Sequence, residues 1–308
     1  AVRRGHHFLI SSVAEASAAQ DLSRFMASSV AEQIRDADQS IQAGEGERRD
    51  VAVLNVDIRG FTEMVARMDP DDAMQLLSDY QHQVVPVVHR HGGAVDKFMG
   101  DAVMSYWGPP FTNPNEHAEL ACRAATSALQ HLEAFRSDVL AAVGDAAKDL
   151  DIDLRIGIST GTVVVGTVGS SASRSFTVMG DPVNLGSRLE GANKAYGTHI
   201  MLSERTRELA GPGFVTRELD LIRVKGKAQP TRVYELVIDD EVSKPSLDQF
   251  EEGITAYRAR NWDAADKAFA GVLATHPKDT PSQVYAERVE HLKKIPPPDK
   301  WDGVWVFE

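Results

Sequence analysis

Asp57 closes the apolar run Val51–Val56 and is followed by Ile58-Arg59-Gly60-Phe61-Thr62. A carboxylate fixed at the end of a buried strand can hold a metal ion. The backbone N–H groups of the turn after it, through Phe61 and Thr62, can hold phosphates attached to that metal. Taken alone, the same aspartate reads as a helix cap or a solvated turn. A second carboxylate, Asp101, stands at a hairpin turn in Lys97-Phe98-Met99-Gly100-Asp101. If the Asp57 strand is central and the first strand of that hairpin lies beside it, both carboxylates meet at one edge. Such a pair, with phosphate oxygens, makes a two-metal site for in-line phosphoryl chemistry. Asn184 and Arg188 are four apart on a helix opened by Asp181-Pro182, which puts them on one face. An amide there can orient a sugar, and a guanidinium can neutralise charge on a pentavalent phosphorus. In isolation that pair too is a solvated helix face.

The elements that must position these residues follow from periodicity. Val51–Val56 is nearly continuous in apolar character, as in a strand buried on both faces. Asp69-Pro70 opens a helix to about His91, with Met74, Leu77, Val84, Val85 and Val88 towards the core and Pro86 as an expected kink. Ala94–Phe98 and Ala102–Trp107 form a hairpin. Glu116 to about Val143 is one long helix. Leu154–Ser159 and Thr162–Val168 read as a hairpin around Thr160-Gly161. A strand through Phe176–Met179 leads into the helix capped by Asp181. This order is the split βαβ of an α+β, ferredoxin-like βαββαβ domain with flanking helical segments.

Three regions are expected: residues 1–47, an N-terminal helical linker with a stripe of Leu22, Phe25, Met26, Val30 and Ile34; residues 48–240, the α/β-patterned domain; and residues 241–308. The last reads as two helices, lined by Phe250, Ile254 and Tyr257 and by Ala264, Ala265, Ala268, Phe269 and Val272. They form a tetratricopeptide-like hairpin followed by an extended aromatic tail. A lone hairpin of this kind cannot bury its own face, so it packs on the preceding domain or on a partner.

With 308 residues, 43% hydrophobic and 25% charged, the composition is that of a globular protein. A formal charge of −12 speaks against a nucleic-acid binder and requires local cations wherever a polyphosphate is held. The single cysteine, Cys122, excludes an intrachain disulfide and fits a reducing, cytoplasmic location. It lies in an apolar helical pattern, as a buried filler would. No run approaches a membrane helix. Because the chain begins with Ala1, an upstream sensor or membrane domain is expected beyond it. His89 and His91, at the end of a helix, suit its dipole better than a metal.

Four blocks, "NVDIRGFTEM", "GGAVDKFMGDAVMSYWG", "LRIGISTGTVVVGTVGS" and "FTVMGDPVNLGSRLEGANK", resemble the successive signatures of class III nucleotide cyclases, in that family's order. The resemblance implies a homodimer with its active site in the interface. It implies that Asp57 and Asp101 bind two divalent ions, Mg²⁺ or Mn²⁺, with the Ile58 carbonyl as a further ligand. It makes Lys97 and Thr177 the purine readers and Asn184 and Arg188 the ribose-orienting and transition-state residues. Arg155 and Lys225, the latter in "VKGKAQP", become phosphate contacts.

Base choice then follows from donor and acceptor patterns. Adenine offers N1 as an acceptor and its 6-amino group as a donor, matching a lysine donor and a threonine acceptor. Guanine offers the reverse. ATP is therefore the expected substrate, closed to cyclic AMP with release of pyrophosphate. Threonine at 177 departs from the commoner aspartate and resembles a subclass that responds to bicarbonate or carbon dioxide. Guanylate cyclase is the rival that Lys97 disfavours, and a diguanylate cyclase lacks its GG[DE]EF sequence here. A nucleotide-sensing module would not need the transition-state pair.

Overall fold

The computed structural model describes residues 46–109, 111–143, 152–169, 174–223, 230–238 and 242–304. The N-terminal stripe, Lys225 and the last four tail residues lie outside these. The first strand, β1 (Gly46–Arg59), carries Asp57 near its end. A short helix α1 (Phe61–Val65) and a long helix α2 (Pro70–Arg90) follow. Asp69 caps α2 by accepting from the Asp71 amide. The helix runs through Pro86. Its buried row is Ala73, Leu76, Tyr80, Val84, Val87 and Val88, while Met74 is 68% exposed, a correction to the expected stripe. The row steps by three and four residues from Ala73, so Met74 falls on the far side.

The hairpin β2 (Ala94–Met99) and β3 (Ala102–Trp107) comes next. The expected single helix from Glu116 is two, α3 (His117–Gln130) and α4 (Leu132–Val143), broken at His131, whose Nδ1–H donates to the Ser127 carbonyl. Cys122 is fully buried on α3, and burial pushes its thiol up to about 12.

One strand, β4 (Asp153–Gly169), replaces the hairpin expected at Thr160-Gly161. It pairs antiparallel with the whole of β1, from Gly46 opposite Gly166 to Arg59 opposite Asp153. Gly161 is not a turn residue. A Cβ there would stand 2.8 Å from Pro182, at the start of the helix lying on β4. The true hairpin is β4 with β5 (Arg174–Met179). Helix α5 (Asp181–Tyr196) has Gly180 as its N-cap, one residue before the expected Asp181.

Then come β6 (Ile200–Ser203), α6 (Glu204–Ala210), β7 (Thr216–Ile222) and β8 (Thr231–Leu236). The sheet order is β2-β3-β1-β4-β6-β8-β7, with β5 pairing to β4. The βαββαβ core is thus present, but β3 rather than β2 is the neighbour of β1. The crossover from β1 through α2 leaves a gap that the returning strand of the hairpin fills, so all these contacts are antiparallel. The helices α2, α3 and α4 bury Leu54, Val56, Ile58, Ile156 and Ile158 on one face. Helix α5 lies on the other.

Among the described residues, the C-terminal region holds three helices, not two: α7 (Lys244–Arg258), α8 (Trp262–Thr275) and α9 (Thr280–Lys294). Phe250, Tyr257, Phe269 and Tyr285 form their core, and Trp301 of the tail packs on Tyr257. Ala264 is exposed rather than core. Its amide is instead capped by Asn261. Helix α9 docks on the sheet. Tyr285 donates to the Leu219 carbonyl (2.7 Å), and Arg288 pairs with buried Asp220, which also accepts from Tyr196 at the end of α5 (2.6 Å). No helix among the described residues is long and apolar enough to cross a membrane.

Candidate active site

Side chains alternate along β1. Those of Val51 and Val53 meet the face carrying β5, whereas Leu54, Val56 and Ile58 meet the helical core. The Ile58 amide donates to the Asp101 carboxylate (3.3 Å), which ties the β2–β3 turn to the end of β1. Burial, reinforced by the nearby Asp57 carboxylate, raises Asp101 from its usual range to about 7. Gly60, with φ of 80°, makes the sharp turn into α1, where Phe61 and Thr62 form the first residues.

Arg155 stands opposite Asp57 in the β1–β4 register and donates to it at 2.8 Å. Its Nε lies 3.0 Å from Glu190 of α5. The resemblance assigns Arg155 to phosphate, and the fold places it on the Asp57 carboxylate. Glu190 is raised to about 7, chiefly by burial and then by the Asp57 charge, against the pull of Arg155. Glu190 was not foreseen from the sequence. Its signal is its place on α5 facing Gly157, where a Cβ would come within 2.2 Å of the Glu190 amide. Tyr80 is a second unforeseen neighbour. Its phenol is held far above its usual value by burial and by the charges of Asp57, Asp101 and Glu190.

Lys97 and Thr177 meet in the same chain. Lys97 Nζ donates to Thr177 Oγ1 (2.9 Å), and Thr177 donates to Asp96 Oδ2 (3.0 Å). The other Asp96 oxygen accepts from the Val178 amide (3.2 Å), and Lys97 Nζ lies 3.2 Å from Oδ2. Burial raises the Asp96 carboxyl, while Lys97 and these donors pull it back. Asp96 was also missed, although it directly precedes Lys97.

Asn184 and Arg188 are exposed on α5, above buried Leu185 and Leu189. The fold therefore gathers Asp57, Asp101 and Arg155 in one place and Lys97 with Thr177 in another. It leaves the Asn184–Arg188 face open.

The family model of the adenylate and guanylate cyclase catalytic domain matches residues 45–237, more than half of the chain. The chain belongs to that family. Adenylate cyclase 1 of Rhizobium meliloti is 36% identical over 191 residues, which are 62% of this chain and 28% of that relative. The chain thus spans under a third of that relative's length. The solved adenylyl cyclase CyaB of P. aeruginosa is similar with a TM-score of 0.58 and 30% identity over 63% of this chain and 97% of that one. The guanylyl cyclase Cya2 follows with a TM-score of 0.54 and 29% identity over 65% and 96%. Cyclases of this family generally use divalent metals. The residues present fit such a cation. Burial, and then the Asp57 carboxylate beside it, raise Asp101 to about 7, which a divalent charge would relieve. Two protein carboxylates also leave coordination positions for phosphate and water oxygens, the way Mg²⁺ is held with nucleotides.

Proposed function

We propose that this chain is the catalytic domain of an adenylate cyclase that closes ATP to 3′,5′-cyclic AMP and pyrophosphate, in a homodimer whose two copies share each site. The observation that carries the choice of base is the contact of Lys97 with Thr177 at 2.9 Å, which presents a donor beside an acceptor. That order matches adenine N1 and its 6-amino group.

In this reading the ribose 3′-hydroxyl attacks the α-phosphorus in line, and pyrophosphate leaves. Asp57 and Asp101, with the Ile58 carbonyl, would hold two ions, Mg²⁺ or Mn²⁺, which supply neutralisation of the triphosphate and an acidified 3′-hydroxyl. The Phe61 and Thr62 amides, Arg155 and Lys225 bind phosphate oxygens. Arg155 would exchange its bond to Asp57 for the phosphates. Lys97 and Thr177 hold the base. Asn184 of the second copy orients the ribose, and Arg188 of that copy stabilises charge on the transferred phosphorus. The open face of α5 supports this, because it leaves both side chains available to another chain.

Guanylate cyclase is kept as a second reading because of the likeness to Cya2. Incubation with ATP or GTP and either metal, with the cyclic product identified by mass, tests both. Cyclic AMP is expected, with GTP used at least about tenfold less well. Predominant cyclic GMP would overturn the assignment. Adding bicarbonate to the same assay tests the response that Thr177 implies.

A further inference from the structure

A threonine hydroxyl is a poor discriminator by itself. It can donate to a carbonyl or accept from an amine simply by rotating. A Thr177 free to rotate would serve a 6-oxo purine as readily as a 6-amino purine. We infer that Asp96 removes this ambiguity: by fixing the Thr177 proton and one Lys97 proton, it makes the pair select a 6-amino purine nucleotide. The inference rests on the reading of Lys97 and Thr177 as the base-contacting pair.

An inventory of protons and lone pairs supports it. The Asp96 side chain is 1% exposed, on β2, directly beneath the pair. Its Oδ1 is held by the Val178 amide, so the carboxylate cannot turn. Its Oδ2 accepts the Thr177 hydroxyl proton at 3.0 Å. Thr177 is then left with two lone pairs, of which one accepts from Lys97 at 2.9 Å. What remains is a single lone pair and no proton. Lys97 has three protons. One goes to Thr177, one faces Asp96 at 3.2 Å, and one is left. The pair therefore offers one donor and one acceptor in a fixed order. Lys97 is 43% exposed, so its remaining proton is within reach of a ligand. An ionised carboxylate is an acceptor only, which is why an aspartate can impose this order. An amide in its place donates as well, and would let the hydroxyl proton swing outward. Asp96 in this role is a positioning residue acting through Thr177, not a base contact.

The test uses two analogues that differ only at position 6. N6-methyl-ATP carries an N–H there, and 6-O-methylinosine triphosphate carries an ether oxygen. Both keep N1 as a bare acceptor for Lys97. Each is titrated against a fluorescent ATP analogue bound to the dimer with Mg²⁺, and the ratio of inhibition constants is read. Wild type should favour the N–H compound at least about tenfold, since the oxygen meets an unpaired lone pair. Asp96→Asn should bring the ratio to within about threefold of one while the dimer and its melting transition persist. A role in packing alone would weaken both analogues together and leave the ratio unmoved. Thr177→Val separates the two layers of the argument. If Thr177→Val flattens the ratio and Asp96→Asn leaves it at the wild-type value, the role of Asp96 is overturned and the base reading stands. If Thr177→Val itself leaves the ratio unchanged, Thr177 does not read the base, and the underlying assignment fails. Should Asp96→Asn not fold, the wild-type ratio decides. A value near one means a rotating hydroxyl and overturns the inference, and tenfold or more upholds it.

Discussion

Arg155 and Asp57 face each other across β1 and β4 and share a hydrogen bond of 2.8 Å, though 98 residues separate them in the chain. The bond places a permanent cation on one member of a carboxylate pair. The other member, Asp101, is held by backbone N–H groups, that of Ile58 among them, and is raised to about 7. The pair is thus asymmetric before any ligand arrives.

That asymmetry gives a pH dependence. Asp101 and Glu190 are each raised to about 7 from ordinary values of 3.8 and 4.5. The folded chain then holds protons that the unfolded chain has released. Below about pH 4 both states are protonated and no penalty exists. As pH rises from about 4 to about 7 the folded state loses stability, and the loss is complete above that. Without metal, the melting temperature should fall across this window. With Mg²⁺ it should recover most at the alkaline end, because a divalent ion binds the deprotonated carboxylates. A flat profile in both conditions, read by calorimetry, would contradict the burial of these carboxyls beside Asp57.

Asp101→Ala should abolish cyclisation while leaving the dimer. If the carboxylates hold the ions that carry the reaction, several kcal/mol of transition-state stabilisation are lost, at least about a thousandfold in rate. Turnover within tenfold of wild type would sink the two-metal assignment.

The shared site is tested by rescue. Asp57→Ala and Arg188→Ala chains, mixed equally and allowed to exchange, form mixed dimers in about half of all pairings. One of the two sites in each mixed dimer then takes intact aspartates from the Arg188→Ala chain and an intact arginine from the Asp57→Ala chain, while the other site carries both defects. About one quarter of wild-type activity should return. No return after proven exchange would mean that each chain carries a private site.

Gly157→Ala should destabilise the domain and displace α5. Its Cβ would lie 2.2 Å from both the Gly186 carbonyl and the Glu190 amide, which are backbone atoms that cannot rotate away. A cost of about 3 kcal/mol is expected from such overpacking. Denaturant unfolding measures it, and a loss below about 0.5 kcal/mol would show that α5 has room to move.

Arg288→Met tests the docking of the C-terminal helices. Arg288 is buried and pairs with Asp220, which would lose its counter-charge. Leaving one partner of a buried pair alone costs on the order of 3 kcal/mol. Asp220 keeps its bonds from Tyr196 and the Leu221 amide, so Asp220→Asn in the same background should recover part of the loss. A single variant as stable as wild type would show the contact to be idle.

What the sequence alone determined was local. The apolar run before Asp57, the cap at Asp69, and the four-residue spacing of Asn184 and Arg188 each depend on chain neighbours. Periods of two and 3.6 report such relations directly. The four signature blocks likewise carried the family, because their order along the chain needs no coordinates. What only the tertiary structure decided depends on partners far along the chain. Thr160-Gly161 has the residue types of a turn, yet β1 offers an unbroken ladder beside it, and backbone pairing holds it extended. Gly157 and Gly161 of β4 answer to α5 packed against them, not to a bend. Met74 and Ala264 match apolar patterns but face outward, because the helix faces were set by what lay opposite. Asp96 and Glu190 show no role in the sequence, because a carboxylate gains one only when burial and a facing donor act on it. Side-chain chemistry is written in the chain, whereas its electrostatic surroundings form only when strands distant in sequence come to lie about 5 Å apart.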